Sequence, residues 1–244
     1  MQKIDLTVIG SGIGGSLISI LNKDKNLVLF EKDKNLGGTA STFKRFGNYF
    51  NSGATTFVGY EDNHIIKEIF DSADFIPDLK KSSYAYRTII NGKSIDRTTD
   101  FEEFIESLNS IFYHKNNRYF WQTLKDIDER FWKLKDIYFA KYSLNSYLKS
   151  LKTIDILFKE YKFLLFKSAK SFTKEVLGDI SKEYQDFIDA QLQITLQSTS
   201  KDIPLLSFAI ALSYPFHKIF YANGGMGKLF DDMLKNINVK KMNR

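Results

Sequence analysis

The glycine-rich segment Gly10-Ser11-Gly12-Ile13-Gly14-Gly15 constrains the fold of this chain more than any other feature of its sequence. It follows an apolar stretch at residues 4–9 and precedes another at 26–31, and both stretches are typical of short buried β-strands. Residues 16–21, between the glycines and the second stretch, predict a helix. A strand, a glycine turn, a helix and a strand in this order indicate a βαβ unit.

Three of these glycines occupy the fixed positions of the dinucleotide-binding fingerprint. Gly10 permits the tight turn, Gly12 lets the backbone approach a pyrophosphate, and Gly15 allows the helix to pack closely on the strand. The helix N-terminus would present free N–H groups and a positive dipole end to the phosphates. A tight turn without a ligand is the alternative. The flanking elements, together with an acid about twenty residues further on, favour the dinucleotide site.

That acid is Glu31, at the end of the second predicted strand. Its carboxylate is placed to accept hydrogen bonds from ribose hydroxyls. A 2′-phosphate at this position would be repelled by the carboxylate, so Glu31 disfavours NADP. The fingerprint alone does not decide between NAD and FAD.

The residues after Glu31 bear on that choice. They read Lys32-Asp33-Lys34-Asn35-Leu36-Gly37-Gly38-Thr39-Ala40-Ser41-Thr42, with a polar spacer before paired glycines. This arrangement resembles the flavin-binding start of the phytoene desaturase and carotenoid isomerase family. The wider group includes flavin amine oxidases and protoporphyrinogen oxidases. Residues 50–56 and 221–229 are similar to later segments of the same family, whereas residues 60–215 match only by position and helical character.

The resemblance implies an FAD-dependent oxidoreductase that acts on a long apolar substrate. Gly12, Gly14 and Gly15 would face the pyrophosphate, Glu31 the ribose, and residues 37–39 the flavin side of the cofactor. The full set of expected cofactor-binding residues is Gly10, Gly12, Ile13, Gly14, Gly15, Glu31, Lys32, Gly37, Gly38 and Thr39. Thr39 stands where many relatives carry Arg, and Asn51 where many carry Asp. No catalytic side chain is identified.

The sequence predicts an α/β fold with a Rossmann-type FAD-binding βαβ unit and a helix-rich substrate region. Residues 1–60 would form the N-terminal part of the FAD-binding domain. Within them, residues 41–45 and 48–51 are predicted as short extended pieces. Residues 61–215 would form the substrate or cap region, with a β-hairpin at 84–97 around Asn91-Gly92, a pair typical of a two-residue turn. Asp100, with an acid three residues on, predicts a helix start. Residues 216–244 would return to the FAD-binding domain.

The flavin domain is expected to be incomplete. Residues 237–239 open a strand after which the sequence supplies no further sheet partner, and relatives of this group continue considerably further. A truncated or split gene product is therefore expected, with a partner chain that would complete the flavin domain.

Composition and charge exclude several classes of function. The absence of cysteine excludes disulfides and thiol catalysis. The net charge of +6 is spread along the chain rather than concentrated on one element, which argues against nucleic-acid binding. A cytoplasmic protein is expected, with weak peripheral contact at the inner face of the membrane as a further possibility. The three histidines are too far apart in sequence to indicate a metal site.

Two other functions remain open. The first is an amine-oxidase-like flavoenzyme, which would release hydrogen peroxide from an amine. The second is an inactive or split fragment that binds a nucleotide weakly, or that needs a partner chain to bind FAD.

Overall fold

The computed structural model describes residues 3–62, 64–134, 137, 139–140 and 142–241. The chain forms two compact units. Unit 1 combines Met1–Ser83 with Lys218–Arg244, and unit 2 is the continuous segment Tyr84–His217. The elements in chain order are β1 (Leu6–Ile9), α1 (Ile13–Leu21), β2 (Leu27–Glu31), β3 (Thr42–Arg45), β4 (Asn48–Asn51), α2 (Ile65–Ser72), β5 (Leu79–Ser82), β6 (Tyr84–Ile90), β7 (Lys93–Thr98), α3 (Phe101–Asn109), α4 (Asn117–Trp132), α5 (Leu144–Tyr161), α6 (Ala169–Leu177), α7 (Lys182–Leu196), α8 (Leu205–Ser213), β8 (Ile219–Ala222), α9 (Met226–Met233) and β9 (Asn238–Lys241).

Unit 1 is built on a three-stranded parallel sheet in the order β1-β2-β9. Leu6 pairs with Leu27, and Val28 pairs with Asn238. The strand expected at residues 237–239 thus finds its partner in β2, which lies earlier in the chain. The expected βαβ unit is present, and α1 begins at Ile13 rather than at residue 16. The α/β fold class with a Rossmann-type unit is therefore confirmed.

Two antiparallel strand pairs complete the β-structure of unit 1. The hairpin β3–β4 follows the predicted extended pieces, and β5 pairs with β8. The sequence interpretation did not predict β5. Its pairing with β8 brings residues 61–83 into unit 1, so the boundary between the units lies between Ser83 and Tyr84 rather than after residue 60.

The core of unit 1 lies between the sheet and its helices. It joins Val8 and Leu29 from the sheet with Ile20 from α1 and with Phe230 and Met233 from α9, all of them buried. Burying such side chains stabilises a protein by about 1.5–3 kcal/mol each. This packing fixes the ends of β1 and β2, from which the glycine turn and Glu31 project.

Unit 2 begins with the predicted hairpin, β6–β7. Asn91 and Gly92 form its turn with φ values of 50° and 77°, which is the left-handed pair that such a turn requires. The helix predicted after Asp100 is also present, since Asp100 Oδ1 accepts hydrogen bonds from the backbone N–H groups of Glu102 (2.8 Å) and Glu103 (3.0 Å). These bonds satisfy two N–H donors that would otherwise be unpaired at the helix start.

The helices of unit 2 enclose an aromatic core. Phe104, Phe120, Trp121, Phe187 and Phe208 are fully buried there, and Trp132 is half-buried. Within the described ranges, no helix combines the length and the apolar character needed to cross a lipid bilayer.

Arg97, on β7, is fully buried in this aromatic core. Its guanidinium carbon lies 3.9 Å from the ring centre of Phe104, 4.5 Å from that of Phe216 and 4.9 Å from that of Trp121. The Nη2 group donates to the Leu212 carbonyl, while Nε and Nη1 find no hydrogen-bond partner among the described residues. Burial lowers the pKa of Arg97, because the apolar surroundings penalise the charged form.

Candidate functional site

The glycine turn between β1 and α1 has the geometry of a phosphate cradle. Gly10 adopts φ +91°, a conformation that residues with a side chain rarely accept. A Cβ on Gly15 would lie 2.0 Å from the carbonyl oxygen of Gly10, so only glycine lets the helix start this close to the turn. By contrast, a Cβ on Gly12 or on Gly14 would meet no described atom within 4 Å. The turn is tightly packed on the protein side and open on the other.

The open side coincides with the N-terminus of α1. Gly12 is the residue before the helix and has no side chain with which to cap it. The first helical bond is made by Ser16, whose N–H donates to the Gly12 carbonyl at 2.9 Å. The N–H groups of Ile13, Gly14 and Gly15 precede that bond, so they are the donors that a helix leaves for a ligand. Together with the helix dipole they suit an anion such as a pyrophosphate.

Glu31, at the end of β2, is buried beside this turn. Its Oε2 accepts from the backbone N–H of Ser11 (2.7 Å) and from the Ser11 hydroxyl (2.6 Å), and its Oε1 accepts from the Asp33 N–H (2.8 Å). The structure therefore brings the acid to the fingerprint, as the sequence predicts. Its role toward a ribose stays a prediction.

Ser11 also belongs to this site, although the sequence did not identify it as a site residue. Its hydroxyl donates to Glu31 and accepts from the Gly37 N–H at 3.1 Å, while its carbonyl accepts from the Gly37 N–H (3.2 Å) and from the Ser16 hydroxyl (2.8 Å). One fully buried serine thus joins the glycine turn, the acid and the paired glycines. The fingerprint allows any residue type at position 11, so it does not point to Ser11. The signal that could have identified this residue is a short hydroxyl side chain in the turn, with an acid twenty residues further on.

The paired glycines form a second turn against the first. Gly37 and Gly38 adopt φ values of +101° and +58°. A Cβ on Gly38 would lie 3.4 Å from the Gly12 Cα, and a Cβ on Gly37 would lie 2.5 Å from the Phe230 ring. The structure therefore brings Gly37 and Gly38 to the fingerprint glycines. Both positions favour glycine for their conformation, and Gly37 requires it for space as well.

Three further expected residues lie at the exposed rim of this site. Ile13, at the start of α1, has an exposed side chain, as do Lys32 after β2 and Thr39 after the paired glycines. Their exposure leaves them accessible to a ligand. Their roles in cofactor binding stay predictions.

The glycine-rich segment at 224–227 serves packing rather than a second phosphate site. The N–H of Met226 donates to Asn51 Oδ1 (3.1 Å), and that of Gly227 donates to Thr42 Oγ1 (2.8 Å). Thr42 and Asn51 are themselves joined by a 2.8 Å hydrogen bond. The first N–H groups of α9 are thus used by the β3–β4 hairpin, which seats this helix beside the paired glycines.

The hydrogen bonds to Glu31 predict a pH dependence of stability. Burial acts to raise the pKa of Glu31, but the bonds from Ser11, Asp33 and Lys32 outweigh it and hold the pKa below its ordinary value of 4.5. A depressed pKa in the folded state stabilises the fold above pH 4.5, and this stability is lost as the pH falls through the lowered pKa. We expect the thermal unfolding midpoint to fall more steeply between pH 7 and pH 3 for the wild type than for Glu31→Gln. Parallel profiles would contradict this assignment.

Comparison with known proteins agrees with this geometry. A family model described as an NAD(P)-binding Rossmann-like domain matches residues 8–73. The match runs from within β1 to the end of α2, and so contains the glycine turn, Glu31 and the paired glycines. A search of the curated proteins found no match to this sequence.

Several solved structures share the fold. Cyclohexylamine oxidase from Brevibacterium oxydans is 16% identical with a TM-score of 0.56, and the alignment covers 98% of this chain and 51% of that one. Putrescine oxidase bound to putrescine is 13% identical with a TM-score of 0.59, again over 98% and 51%. A CLA-producing fatty acid isomerase from P. acnes is 11% identical with a TM-score of 0.55, over 98% and 51%. This chain therefore spans about half the length of each of these structures.

Proposed function

We propose that this chain binds FAD and forms part of a flavin-dependent oxidoreductase. The observation that carries the proposal is the open cradle at Gly12 and Gly14, bounded by the first N–H groups of α1, by the buried Glu31 and by the Gly37-Gly38 turn. The similarity of the fold to cyclohexylamine oxidase, putrescine oxidase and a fatty acid isomerase supports it.

Each part of the site has a defined task in this proposal. The N–H groups of residues 13–15 hold the pyrophosphate, Glu31 accepts hydrogen bonds from the adenosine ribose, and Gly37 to Thr39 line the path toward the flavin. The ionised, buried Glu31 repels a 2′-phosphate, which favours FAD over NADP. Bound FAD would supply the redox chemistry, and the protein would position it and exclude water.

The first test is FAD retention by the purified chain. We expect visible flavin bands to survive removal of excess FAD by buffer exchange. In Gly12→Ala a methyl group enters the open cradle, so hydrogen bonds to the pyrophosphate, each worth about 1.5–3 kcal/mol when the acceptor is charged, are weakened. The FAD affinity should fall by about 10- to 100-fold, as measured by quenching of flavin fluorescence.

Thermal unfolding of both proteins is the control, because the Gly12→Ala methyl group meets no described atom and the midpoint should stay unchanged. A rise in the unfolding midpoint with NAD but not with FAD would contradict the proposal and indicate a nicotinamide site. Equal FAD affinity of both proteins would place the flavin elsewhere.

For the substrate we propose a long apolar molecule, as the resemblance to phytoene desaturases and carotenoid isomerases implies. The fatty acid isomerase among the similar folds supports an apolar substrate. The two amine oxidases support the alternative, an amine. Anaerobic bleaching of the flavin bands by a polyene or a fatty acid would favour the first, and hydrogen peroxide release with a primary amine the second.

We also propose that a partner segment completes the flavin domain. In the described sheet β1 has β2 as its one neighbour, so one edge of β1 is open to pairing. Ile9 at the end of β1 is 87% exposed, and Ile13, Ile18 and Leu21 of α1 are each about half exposed. Open edges and exposed apolar residues are typical of a sheet that continues. If the chain is folded but colourless with FAD, co-expression with the partner segment should restore the flavin bands.

A further inference from the structure

Helix α5 in unit 2 exposes six apolar side chains on its solvent face. Leu144, Tyr147, Leu148, Leu151, Ile154 and Phe158 recur at spacings of three and four residues, which places them on one face of the helix. Their exposed fractions run from 43% for Leu151 to 77% for Leu144. We call these six residues the α5 stripe.

The opposite face of α5 packs on the core of unit 2 near the end of the helix, where Leu157 is partly buried against the core and Tyr161 lies within it. Ser146, Thr153 and Tyr161 are buried, and the Tyr161 hydroxyl donates to the Ile127 carbonyl at 3.1 Å. An ordinary surface helix turns its apolar side chains to the core and its polar ones to water. On α5 six apolar side chains face solvent instead, which indicates that the α5 stripe meets an apolar surface.

The apolar surface continues beyond the helix. A short 3₁₀ helix, Lys162–Phe166, follows α5 and exposes Phe163 by 83% and Phe166 by 77%. The ring of Phe166 lies 6.3 Å from that of Phe158, edge to face. The α5 stripe and the two phenylalanines form one surface, larger than the single exposed apolar residues that soluble proteins commonly show.

Lysines are interspersed along the segment that forms this surface. Residues 142–167 contain five lysines, at positions 149, 152, 159, 162 and 167, against the two acids Asp155 and Glu160. Lys152 follows Leu148 by four residues and so stands beside the stripe. Lys159 is paired with Asp155 at 2.6 Å and Lys167 with Glu175 at 2.5 Å, while Glu160 is paired with Arg130 at 3.6 Å. The two acids of this stretch are thus both balanced, and the stretch keeps more positive than negative charge.

We propose that the α5 stripe, with Phe163 and Phe166, binds the surface of a membrane that contains anionic lipid. An apolar face flanked by lysines is the arrangement of helices that lie in the membrane interface, where the lysine heads reach the phosphates and the apolar side chains enter the acyl boundary. A second copy of the chain fits the surface less well, because a symmetric contact would bring the lysines of both copies together. The proposal does not depend on FAD binding.

The test is sedimentation of the protein with lipid vesicles. We expect binding to vesicles of phosphatidylcholine mixed with phosphatidylglycerol, weaker binding to phosphatidylcholine alone, and loss of that difference at high salt. The double variant Leu148→Ser/Phe163→Ser should lower partitioning by more than about tenfold, because two apolar side chains no longer enter the membrane. Lys152→Glu should lower binding to the mixed vesicles by about fivefold or more.

The matched control is Ile194→Ser. Ile194 is 63% exposed on α7 of the same unit but lies outside the stripe, so this variant should partition as the wild type does. Absence of binding to either vesicle would overturn the proposal, and so would equal binding of the wild type and the double variant. The proposal would also be overturned if the wild type did not bind vesicles but self-associated with rising concentration, and if the double variant lost this self-association. That result would favour a second copy of the chain. Near-ultraviolet circular dichroism of every variant verifies that unit 2 remains folded.

Discussion

Replacing Gly15 with alanine is expected to destabilise unit 1 by about 3 kcal/mol or more. The new Cβ would lie 2.0 Å from the Gly10 carbonyl oxygen and 3.3 Å from Val8 Cγ1. Both of those atoms belong to backbone or buried core, so α1 must move away from the sheet. We expect the thermal midpoint of unit 1 to fall by about 10 °C, as measured by calorimetry.

Gly12→Ala is the matched control for this experiment. It adds the same methyl group three residues earlier, where no described atom lies within 4 Å. The two variants should therefore separate the two roles of the fingerprint, with Gly15→Ala losing stability and Gly12→Ala losing FAD affinity. If both variants lost stability equally, the methyl group at position 12 would meet protein atoms, and the cradle would not be open.

The second large effect is expected at Arg97. Changing Arg97 to methionine should leave the stability of unit 2 unchanged or raise it by up to about 3 kcal/mol, because an apolar side chain of similar length needs no hydrogen bonds in an apolar interior. Changing it to alanine should lower stability by about 3 kcal/mol, since a cavity opens between Phe104, Trp121 and Phe216. Urea denaturation of the three proteins measures both differences.

Arg97→Met is the informative variant of this pair. If it destabilised unit 2 as much as Arg97→Ala does, then the contacts of the guanidinium with the three rings would outweigh the burial of its charge. That outcome would contradict the prediction. It would also assign a net stabilising role to the cation–π contacts, which are worth about 2 kcal/mol or more when desolvated.

The parts of the fold that the sequence predicted are those governed by local rules. The glycine turn, its flanking strands and the hairpin at Asn91-Gly92 each depend on conformations that few residue types adopt. The helix start at Asp100 depends on a side chain that bonds to its own helix. Such features are encoded within a few residues, so a pattern reveals them.

The parts that the sequence did not predict depend on distant partners. β5, with the sequence Leu79-Lys80-Lys81-Ser82, lacks the apolar alternation of a strand and is extended because β8 pairs with it. The start of α1 at Ile13 places two glycines in a helix, against their intrinsic preference. Likewise, the part played by Ser11 follows only when Glu31 and Gly37 are brought to it.

The pairing of β2 with β9 has a consequence for how the chain acquires its structure. Val28 pairs with Asn238, so the parallel sheet cannot close until residues 238–241 have been synthesised. Unit 2 is continuous and can form its contacts beforehand. Ser82 and Ile219 are paired neighbours, so the chain leaves unit 1 after β5 and returns to it at β8, the strand paired with β5. A unit 2 that is already folded replaces a long flexible loop and lowers the entropy lost when the sheet closes.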